Sequence, residues 1–359
     1  MLSDKYDADD KYMEIDEESF QDIINIATGV LAPLKGFMCE EDYHSVVEKN
    51  TLVNGDVFTI PITLEYTLRD EIQSGEKISL IFNGKYIANI SVEDIFETTD
   101  ADWKKVFGTG DYNHPGVKKE IEKCRKRVGG QIEVVDETIL DNALKPLDTK
   151  KVFLDRGWET IVGFQTRNPI HKAHEYIQRL GLEMCDGLFI NPLVGWKKKG
   201  DFSEEAVMSA YEVMINNYYP KNRVYIAGLK TQMRYAGPRE AVFHAIIRRN
   251  LGCTHFTIGR DHAGVGGYYG EYDAHKFAKE IESKYDLGIN LILTREPYYC
   301  SVCNEIVTDR TCGHYETGRV SISGTKIRQY ITEQTMPDER FMRRDILEAI
   351  IQCGDIFID

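Results

Sequence analysis

The chain has 359 residues, which is too long for one ordinary hydrophobic core and fits two or three domains. Hydrophobic residues make up 42% of the sequence and charged residues 28%, a globular composition that argues against a disordered or coiled-coil protein. The formal net charge of −14 argues against non-specific binding to nucleic acid or to an anionic membrane, because both need a basic surface. A local basic pocket for a small anion stays compatible with this charge.

The N-terminal segment is acidic and polar, and no run approaches the roughly 18 apolar residues of a membrane span. We therefore expect a protein of the reducing cytoplasm with no membrane partner. Five of the eight cysteines are scattered, as small buried apolar residues are. The other three, Cys300, Cys303 and Cys312, are close together beside His314, which indicates a metal site rather than disulfides.

The N-terminal part of the chain has apolar runs that predict β-strands, at 57–68, 77–92 and 130–135. The dipeptide Asn83-Gly84 is typical of a hairpin turn. The segment 141–159 has the composition of a linker. These features predict a mostly β domain before the linker.

From Thr160 the pattern changes to strands that alternate with helices. Five buried strands are predicted, at 160–164, 187–195, 223–229, 255–260 and 289–294. Helix starts are indicated by Asn168 with Pro169, by a capping box of Asp201 with Glu204, and by Pro238. This alternation predicts a parallel sheet covered on both faces, with ligands at the carboxyl ends of the strands. A further helix is predicted at 343–353.

The segment 163–176, GFQTRNPIHKAHEY, joins a predicted strand to a predicted helix. His171 and His174 are three residues apart, so we expect both on one helical face near the amino end. A helix amino terminus presents free N–H groups and a partial positive charge to an anion. Arg167 adds a cation upstream, and the segment therefore predicts an anion site rather than a plain polar loop.

A second polar segment, GRDHAGVGGYYG at 259–270, follows another predicted strand. Its glycines allow backbone N–H groups to approach a ligand closely, and Arg260 and His262 add donors. Neither segment matches the Walker A loop or the dinucleotide fingerprint. The run Lys197–Lys199 is compatible with polyanion steering or with a solvated loop, and Arg234 and Arg239 are equally open between binding and structural roles.

These segments together resemble the ATP sulfurylase (sulfate adenylyltransferase) family. The resemblance is carried by QTRNPIHKAHE, INPLVGWKKKGD, MRYAGPREA, GRDHAGVG and SISGTKIR, which cover the catalytic core almost continuously. One departure is Val265, where the family usually has proline. No Walker A sequence follows the last predicted helix, so no fused adenylyl-sulfate kinase domain is expected.

The resemblance implies an α/β fold in three parts. These are a PUA-like β-rich domain at 1–153, a Rossmann-like parallel α/β nucleotidyltransferase domain at 154–296, and a small zinc-containing α/β subdomain at 297–359. It also implies that sulfate attacks the α-phosphorus of ATP directly, which gives adenylyl sulfate and pyrophosphate without a covalent enzyme intermediate. Mg²⁺ is expected with ATP, and a homo-oligomer is expected from the family alone.

The resemblance further assigns site residues. The catalytic residues it implies are Thr166, Arg167, Asn168, His171 and His174. The sulfate-binding residues it implies are Gln165, Arg167, Arg260 and Ala263, the last through its backbone. The ATP-binding residues it implies are Gln165, Thr166, Arg167, Asn168, Gly259, Arg260, Asp261 and His262. The segment 321–330 is expected to pack over the nucleotide, with Lys326 and Arg328 as helpers of unassigned role.

The cysteine cluster offers three thiolates and one imidazole, from Cys300, Cys303, Cys312 and His314. This set selects tetrahedral zinc, and four protein ligands indicate a structural site. His314 is the least certain ligand from spacing alone, with Glu316 or water as substitutes. Some prokaryotic members of the family resemble this chain in carrying a zinc-binding insertion here.

Two other functions are compatible with parts of the sequence. A PUA-like domain is associated with RNA binding elsewhere, but the acidic balance and the lack of basic–aromatic patches argue against a nucleic-acid partner. An adenylyltransferase for another acceptor, such as a nicotinamide or pantetheine phosphate, is the second alternative. Arg167 together with Arg260 suits a small oxyanion better.

Overall fold

The computed structural model describes residues 11–68, 71–195, 200–322, 324–333 and 338–358. The chain forms two compact units, each built from separate stretches. Unit 1 comprises Met1–Lys150, Lys230–Gly252 and Asp261–Gly288, and unit 2 comprises Lys151–Leu229, Cys253–Arg260 and Ile289–Asp359. The domain boundaries expected at 153/154 and 296/297 stay predictions.

The strands, in chain order, are β1 (Tyr12–Glu14), β2 (Gly36–Phe37), β3 (Leu64–Glu65), β4 (Lys77–Phe82), β5 (Lys85–Glu97), β6 (Lys126–Val134), β7 (Ile161–Thr166), β8 (Gly187–Pro192), β9 (Val224–Ile226), β10 (His255–Ile258), β11 (Asn290–Leu293), β12 (Tyr298–Cys300), β13 (Glu305–Val307) and β14 (Arg319–Ser321). The α-helices are α1 (Glu17–Ala27), α2 (Glu40–Lys49), α3 (Asp100–Phe107), α4 (Pro115–Glu122), α5 (Pro146–Asp155), α6 (Lys172–Met184), α7 (Glu204–Tyr218), α8 (Pro238–Asn250), α9 (Asp273–Lys284), α10 (Tyr315–Gly318), α11 (Gly324–Thr332) and α12 (Arg344–Ile351). Among the described residues, no helix is both long enough and apolar enough to cross a bilayer.

Unit 1 is built on a six-stranded sheet in the order β1-β4-β5-β6-β2, with β3 also paired to β6. The predicted hairpin is confirmed, because β4 and β5 are antiparallel and Asn83-Gly84 connects them. Both turn residues have positive φ, 50° for Asn83 and 72° for Gly84, as a tight hairpin turn requires.

Two expectations for the N-terminal part are wrong. The apolar run 57–68 contains only the two-residue β3 and an isolated bridge at Val57. Its apolar side chains are buried, as Phe58 and Ile62 are, so the run reflects core packing, and Pro61 has no N–H to pair in a ladder. The segment 141–159 is not a plain linker, because α5 occupies its middle and begins with a proline suited to the first helical turn.

Unit 2 is built on a five-stranded sheet in the order β11-β10-β7-β8-β9, and every neighbouring pair is parallel. All five strands predicted in this part of the chain are confirmed, with ends shifted by a few residues. The chain runs outwards from β7 to β9 in one direction and returns to β10 on the other side of β7. The strand order therefore reverses between β7 and β10, which is where doubly wound sheets bind ligands.

The helix starts were predicted less well than the strands. The helix after β7 begins at Lys172 with His171 as its N-cap, rather than at Asn168 and Pro169. The helix after β8 is capped by Ser203, whose Oγ accepts the N–H of Ala206, rather than by Asp201. In each helix the cap is the residue whose side chain accepts a hydrogen bond from a free backbone N–H of the first turn. The start of α8 at Pro238 is confirmed.

Apolar side chains pack on both faces of the sheet of unit 2. On one face Phe189 of β8 lies against Phe153 and Tyr225, and a second cluster lies on the opposite face. Apolar residues of β7 and β8 pack with buried residues of α6, α7, α11 and α12, such as Ile177, Tyr211, Ile327 and Leu347. A separate three-stranded antiparallel sheet, in the order β13-β12-β14, carries the cysteine cluster. This core fixes the carboxyl end of β7 and the amino end of α6, which together carry the first predicted site.

Candidate functional site

The two histidines of the first segment lie against each other at the start of α6. Their ring centroids are 3.7 Å apart and their planes differ by 21°, so the rings are stacked. His171 is the N-cap, and its Nδ1 accepts the backbone N–H of His174 at 3.4 Å. The expectation that both lie on one helical face is therefore corrected, since His171 precedes the helix. The local cap brings the rings together all the same.

Burial keeps both imidazoles neutral near pH 7. Burial lowers the pKa of His174 to about 4, against a small opposing effect of the Pro169 backbone. Burial also lowers the pKa of His171 well below its ordinary value, and the neighbouring His174 adds to the shift. Because Nδ1 of His171 accepts a hydrogen bond, its single proton belongs on Nε2. The pair therefore offers N–H donors without permanent charge.

The end of β7 turns sharply into this helix start. The Oγ1 of Thr166 accepts the backbone N–H of Asn168 at 3.1 Å, and the same hydroxyl lies 3.1 Å from the Asn168 carbonyl oxygen. Thr166 is buried, while Gln165, Arg167 and Asn168 are half-buried. The turn thus fixes the backbone and leaves the polar side chains on either side partly accessible to a ligand.

The amino end of α11 lies beside the same turn. A Cβ on Gly324 would sit 3.6 Å from the Asn168 side-chain amide, an ordinary contact distance. Arg328 reaches Oδ1 of Asn168 at 3.5 Å and Oδ1 of Asp201 at 3.4 Å, and its guanidinium stacks over Phe202. Arg328 is thereby placed next to the first segment. The side chain of Lys326 lies outside the described residues.

The carboxyl end of β10 is next to that of β7 in the sheet. Phe256 pairs with Gly163, so three residues further along both strands Gly259 reaches the level of Thr166. Arg260 then follows, and its Nη1 lies 3.4 Å from Oε1 of Glu296. The sheet itself therefore brings the first segment and the Gly259–Arg260 pair to one edge.

The rest of the second segment belongs to unit 1. Asp261 and Ala263 both have positive φ, 50° and 57°. A Cβ on Gly264 would lie 1.8 Å from Oδ1 of Asp261, so a larger residue there would displace the Asp261 carboxylate. Asp261, His262 and Ala263 are thus in a different compact unit from Arg260, and their roles stay predictions.

His262 is connected to two buried residues that the sequence analysis did not single out. Its Nε2 lies 3.2 Å from Nδ1 of His244, and Nε2 of His244 lies 3.5 Å from Oε1 of Glu240. Glu240 also accepts the backbone N–H groups of Arg234 and Ala236. The carboxylate therefore orients His244, and His244 orients the ring of His262. The spacing of Glu240 and His244 on α8 is visible in the sequence, but their link to His262 is not.

The two arginines left open by the sequence have structural contacts in unit 1. Arg234 makes ion pairs with Asp22 and Glu18, and these carboxylates hold its pKa above the ordinary value although burial opposes them. Arg239 donates to the carbonyl oxygens of Val46 and Val47, and burial lowers its pKa to about 10. Lys197–Lys199 lie outside the described residues.

The cysteine cluster is assembled as a metal-binding set. Sγ of Cys312 lies 3.6 Å from Sγ of both Cys300 and Cys303, and Nδ1 of His314 lies 3.3 to 3.9 Å from the three sulfurs. A zinc tetrahedron with bonds of about 2.3 Å to sulfur and about 2.0 Å to nitrogen has edges of roughly 3.5 to 3.8 Å. These four residues could hold a metal ion, and His314 contributes the fourth ligand atom rather than Glu316.

Two sulfur atoms of this cluster also accept backbone hydrogen bonds. The N–H of Cys303 donates to Sγ of Cys300, and the N–H of His314 donates to Sγ of Cys312, both at 3.4 Å. Tyr298 and Tyr315 pack around the cluster with Val307. All eight cysteines are free thiols, as the metal interpretation of the spacing requires.

Known proteins match this chain over nearly its whole length. The ATP-sulfurylase family model matches residues 141–353, and the PUA-like domain model matches residues 4–137. Sulfate adenylyltransferase of Ignicoccus hospitalis is 45% identical over 96% of this chain and 91% of its own length. Sulfate adenylyltransferase of Pyrococcus abyssi is 43% identical over 97% of this chain and 92% of its own length.

A solved structure supports the fold independently. It is described as a hexameric APS kinase from Thiobacillus denitrificans, and it superposes with a TM-score of 0.71 at 18% identity. The superposition covers 95% of this chain and 62% of that one, so this chain spans less than two thirds of its length. At this identity the likeness concerns the fold alone. From the family match and the full-length relatives together, this chain belongs to the ATP-sulfurylase family.

Proposed function

We propose that the protein is a sulfate adenylyltransferase, which converts ATP and sulfate into adenylyl sulfate and pyrophosphate. Family membership supports the reaction class, since relatives of this name align with almost the whole chain. The observation that carries the proposal is the stacked His171–His174 pair at the start of α6, beside Arg167 and at the reversal point of the sheet. This position suits a polyphosphate substrate.

Sulfate attacks the α-phosphorus of ATP directly in this proposal. One oxygen of sulfate forms a bond to phosphorus while the bond to the bridging oxygen of pyrophosphate breaks, so no protein nucleophile is required. The protein must hold two anions in line and stabilise the charge that grows on the leaving group. Arg167 and Arg260 provide the cations for sulfate, and Gln165 and the Ala263 backbone add hydrogen bonds.

The two histidines act as uncharged donors on the phosphates. Because their pKa values are lowered in the substrate-free protein, the Nε2–H of His171 approaches the triphosphate as a dipole rather than as a cation. A hydrogen bond from such a donor is weak in the ground state. It becomes stronger in the transition state, as negative charge accumulates on the departing phosphates. Thr166 and Asn168 hold the turn that aims this donor.

The nucleotide half of the site is assigned by family resemblance. Gly259, Arg260, Asp261 and His262 hold ATP in this proposal, and Arg328 on α11 assists beside Asn168. Mg²⁺ accompanies ATP through phosphate oxygens and water, where it neutralises charge on the triphosphate. The protein's own groups then position the α-phosphorus.

Zinc is the metal we assign to Cys300, Cys303, Cys312 and His314. Three sulfurs and one nitrogen at near-tetrahedral separations favour it, and the four protein donors leave no position for substrate. Elemental analysis of protein purified without added metal should give about one zinc per chain. The Cys312→Ser variant should lose that zinc and unfold at a lower temperature. Full zinc content in this variant would contradict the ligand set.

The direct test is pyrophosphate release from Mg-ATP, with pyrophosphatase present to draw the reaction forward. Release that requires sulfate supports the proposal. Release that instead requires nicotinamide mononucleotide or phosphopantetheine would replace sulfate with another adenylyl acceptor. Folded, zinc-replete protein that releases nothing with sulfate would refute the proposed reaction.

A homo-oligomer is part of the proposal because the family suggests it. Light scattering of the purified protein should give a mass of at least twice the 41.2 kDa of one chain. A monomer at working concentrations would contradict this assignment and leave the reaction untouched.

A further inference from the structure

The carboxylate of Glu296 is shared by two arginines of unit 2. Its Oε2 lies 2.6 Å from Nη2 of Arg319, while its Oε1 lies 3.4 Å from Nη1 of Arg260. The first distance is that of a strong charge-assisted hydrogen bond, and the second is near the outer limit of one. Glu296 is the least exposed of the three, with 20% of its side chain accessible against 35% for Arg260 and 33% for Arg319. Of these two arginines, Arg319 is therefore the closer partner of the carboxylate.

Arg319 is fixed by the sheet that carries the cysteine cluster. It is the first residue of β14 and lies opposite Cys300 in the β12–β14 ladder. Its Nη1 donates to the hydroxyl of Tyr315 at 2.6 Å, and its guanidinium lies 4.8 Å from the centre of the Tyr315 ring. Tyr315 directly follows His314. Backbone and side chain of Arg319 are thus both attached to neighbours of the metal-binding residues.

We propose that Arg319 is a positioning residue, which holds Glu296 and so keeps Arg260 available to its anionic ligand. This inference rests on the proposed function, which assigns Arg260 to sulfate and nucleotide. Arg319 satisfies much of the charge of Glu296, so the contact of the carboxylate with Arg260 stays long. When the ligand arrives, Arg260 exchanges its long contact with Glu296 for the anion, and Glu296 remains paired with Arg319.

Loss of Arg319 reverses this balance. Glu296 would then lose its 2.6 Å contact with Arg319 and pair more closely with Arg260, so it would compete with the anion for the same guanidinium. For partly exposed pairs of this kind the effect on affinity is about three- to five-fold. If Glu296 instead held Arg260 in place for the anion, closer pairing after loss of Arg319 would not weaken anion binding.

Binding of adenylyl sulfate tests this inference. In the absence of pyrophosphate this product cannot react back, and it contains both the sulfate and the α-phosphate that Arg260 could contact. Titration calorimetry would compare metal-replete wild type with Arg319→Met, Arg319→Lys and the double variant Glu296→Gln/Arg319→Met. Glu305→Gln is the control for the Glu296→Gln change. It removes one negative charge at an exposed position of β13, in the sheet that carries Arg319.

We expect Arg319→Met to weaken binding about three- to five-fold, and Arg319→Lys to restore most of it. The double variant should bind like wild type or more tightly, because the competing carboxylate is gone. Glu305→Gln should bind like wild type. Unchanged binding in folded Arg319→Met, or no recovery in the double variant, would overturn the inference. Absence of binding by wild type would refute the proposed function itself, so the two failures are distinguishable.

Metal occupancy gives a readout that does not depend on activity. Since the metal-binding sheet places Arg319, the metal and adenylyl sulfate should each raise the affinity for the other by the same factor. A higher chelator concentration should then be needed to withdraw zinc when adenylyl sulfate is bound. This difference should vanish in Glu296→Gln, where Arg260 no longer has a competing carboxylate. Equal chelator midpoints for wild type with and without adenylyl sulfate would overturn the coupling.

Discussion

The stability of unit 2 should fall on mild acidification because of its buried histidines. The pKa of His174 is about 4 in the folded protein, against an ordinary 6.5. Below pH 6.5 the unfolded state binds a proton at His174 that the folded state does not bind. The stability that comes from the neutral His174 is therefore fully present above pH 6.5 and is lost as the pH falls towards 4. For His174 alone, the unfolding free energy should drop by about 2 kcal/mol between pH 8 and pH 5.

Urea denaturation at the two pH values would measure this change. The Trp103→Phe background leaves tryptophans only in unit 2, so fluorescence then follows that unit. His174→Gln should remove about 2 kcal/mol of the pH dependence, while His171 continues to contribute to what remains. His44→Gln is the control at an exposed histidine and should keep the wild-type dependence. A His174→Gln variant with the same loss as wild type would refute the burial argument.

Three further predictions concern the candidate site. Arg167→Ala should lower sulfate-dependent turnover at least about thirty-fold, because a charge-assisted contact is lost, while the circular dichroism spectrum stays unchanged. Arg310→Ala, at an exposed position, should leave turnover unchanged. His171→Ala should lower kcat by about 10² or more while ATP binding changes little, and a loss confined to affinity would contradict the transition-state role. Gly264→Ala should raise the KM for ATP, because its Cβ would displace the Asp261 carboxylate. Gly354→Ala, where no neighbouring atom lies within 4 Å, should leave that KM unchanged.

The strands of unit 2 were predictable because parallel strands are buried on both faces. Runs such as 187–195 are therefore apolar apart from single residues such as Asn191, and helices with polar faces separate them. The run 57–68 is equally apolar but is mostly irregular, because a buried segment can satisfy its backbone outside a ladder. Apolar runs were thus buried in both units. They formed strands reliably only in unit 2, where they alternate with helical segments in the sequence.

Helix starts depend on which side chain reaches the free N–H groups, and several candidates compete within a few residues. Asn168 and Asp201 are good caps by type, but His171 and Ser203 make the bonds. This difference has a consequence for the site. As N-cap, His171 has its Nδ1 occupied by the helix, and Nε2 is the nitrogen left to carry the proton.

The partners of the predicted site residues could not be found from the sequence. Glu296 is 36 residues from Arg260, and Arg319 is 23 residues further on, so no helix or strand period connects them. Glu240 and His244 are four apart on α8, which a helical pattern does indicate, but their link to His262 depends on tertiary packing. Residues that touch substrate have sequence signatures, whereas residues that orient them are chosen by the fold.

The order of strands brings together the starts of two polar segments that are distant in the sequence. The sequence placed the polar segments after the first and fourth strands of unit 2 without giving a reason for that pair. In the sheet these strands, β7 and β10, are neighbours and flank the point where the strand order reverses. Connections leave this point in opposite directions, so the carboxyl ends of both strands are left open to a ligand. A swap of either segment to the end of β8 would move it away from that opening, so the strand order supports the proposal that Arg167 and Arg260 bind the same small anion.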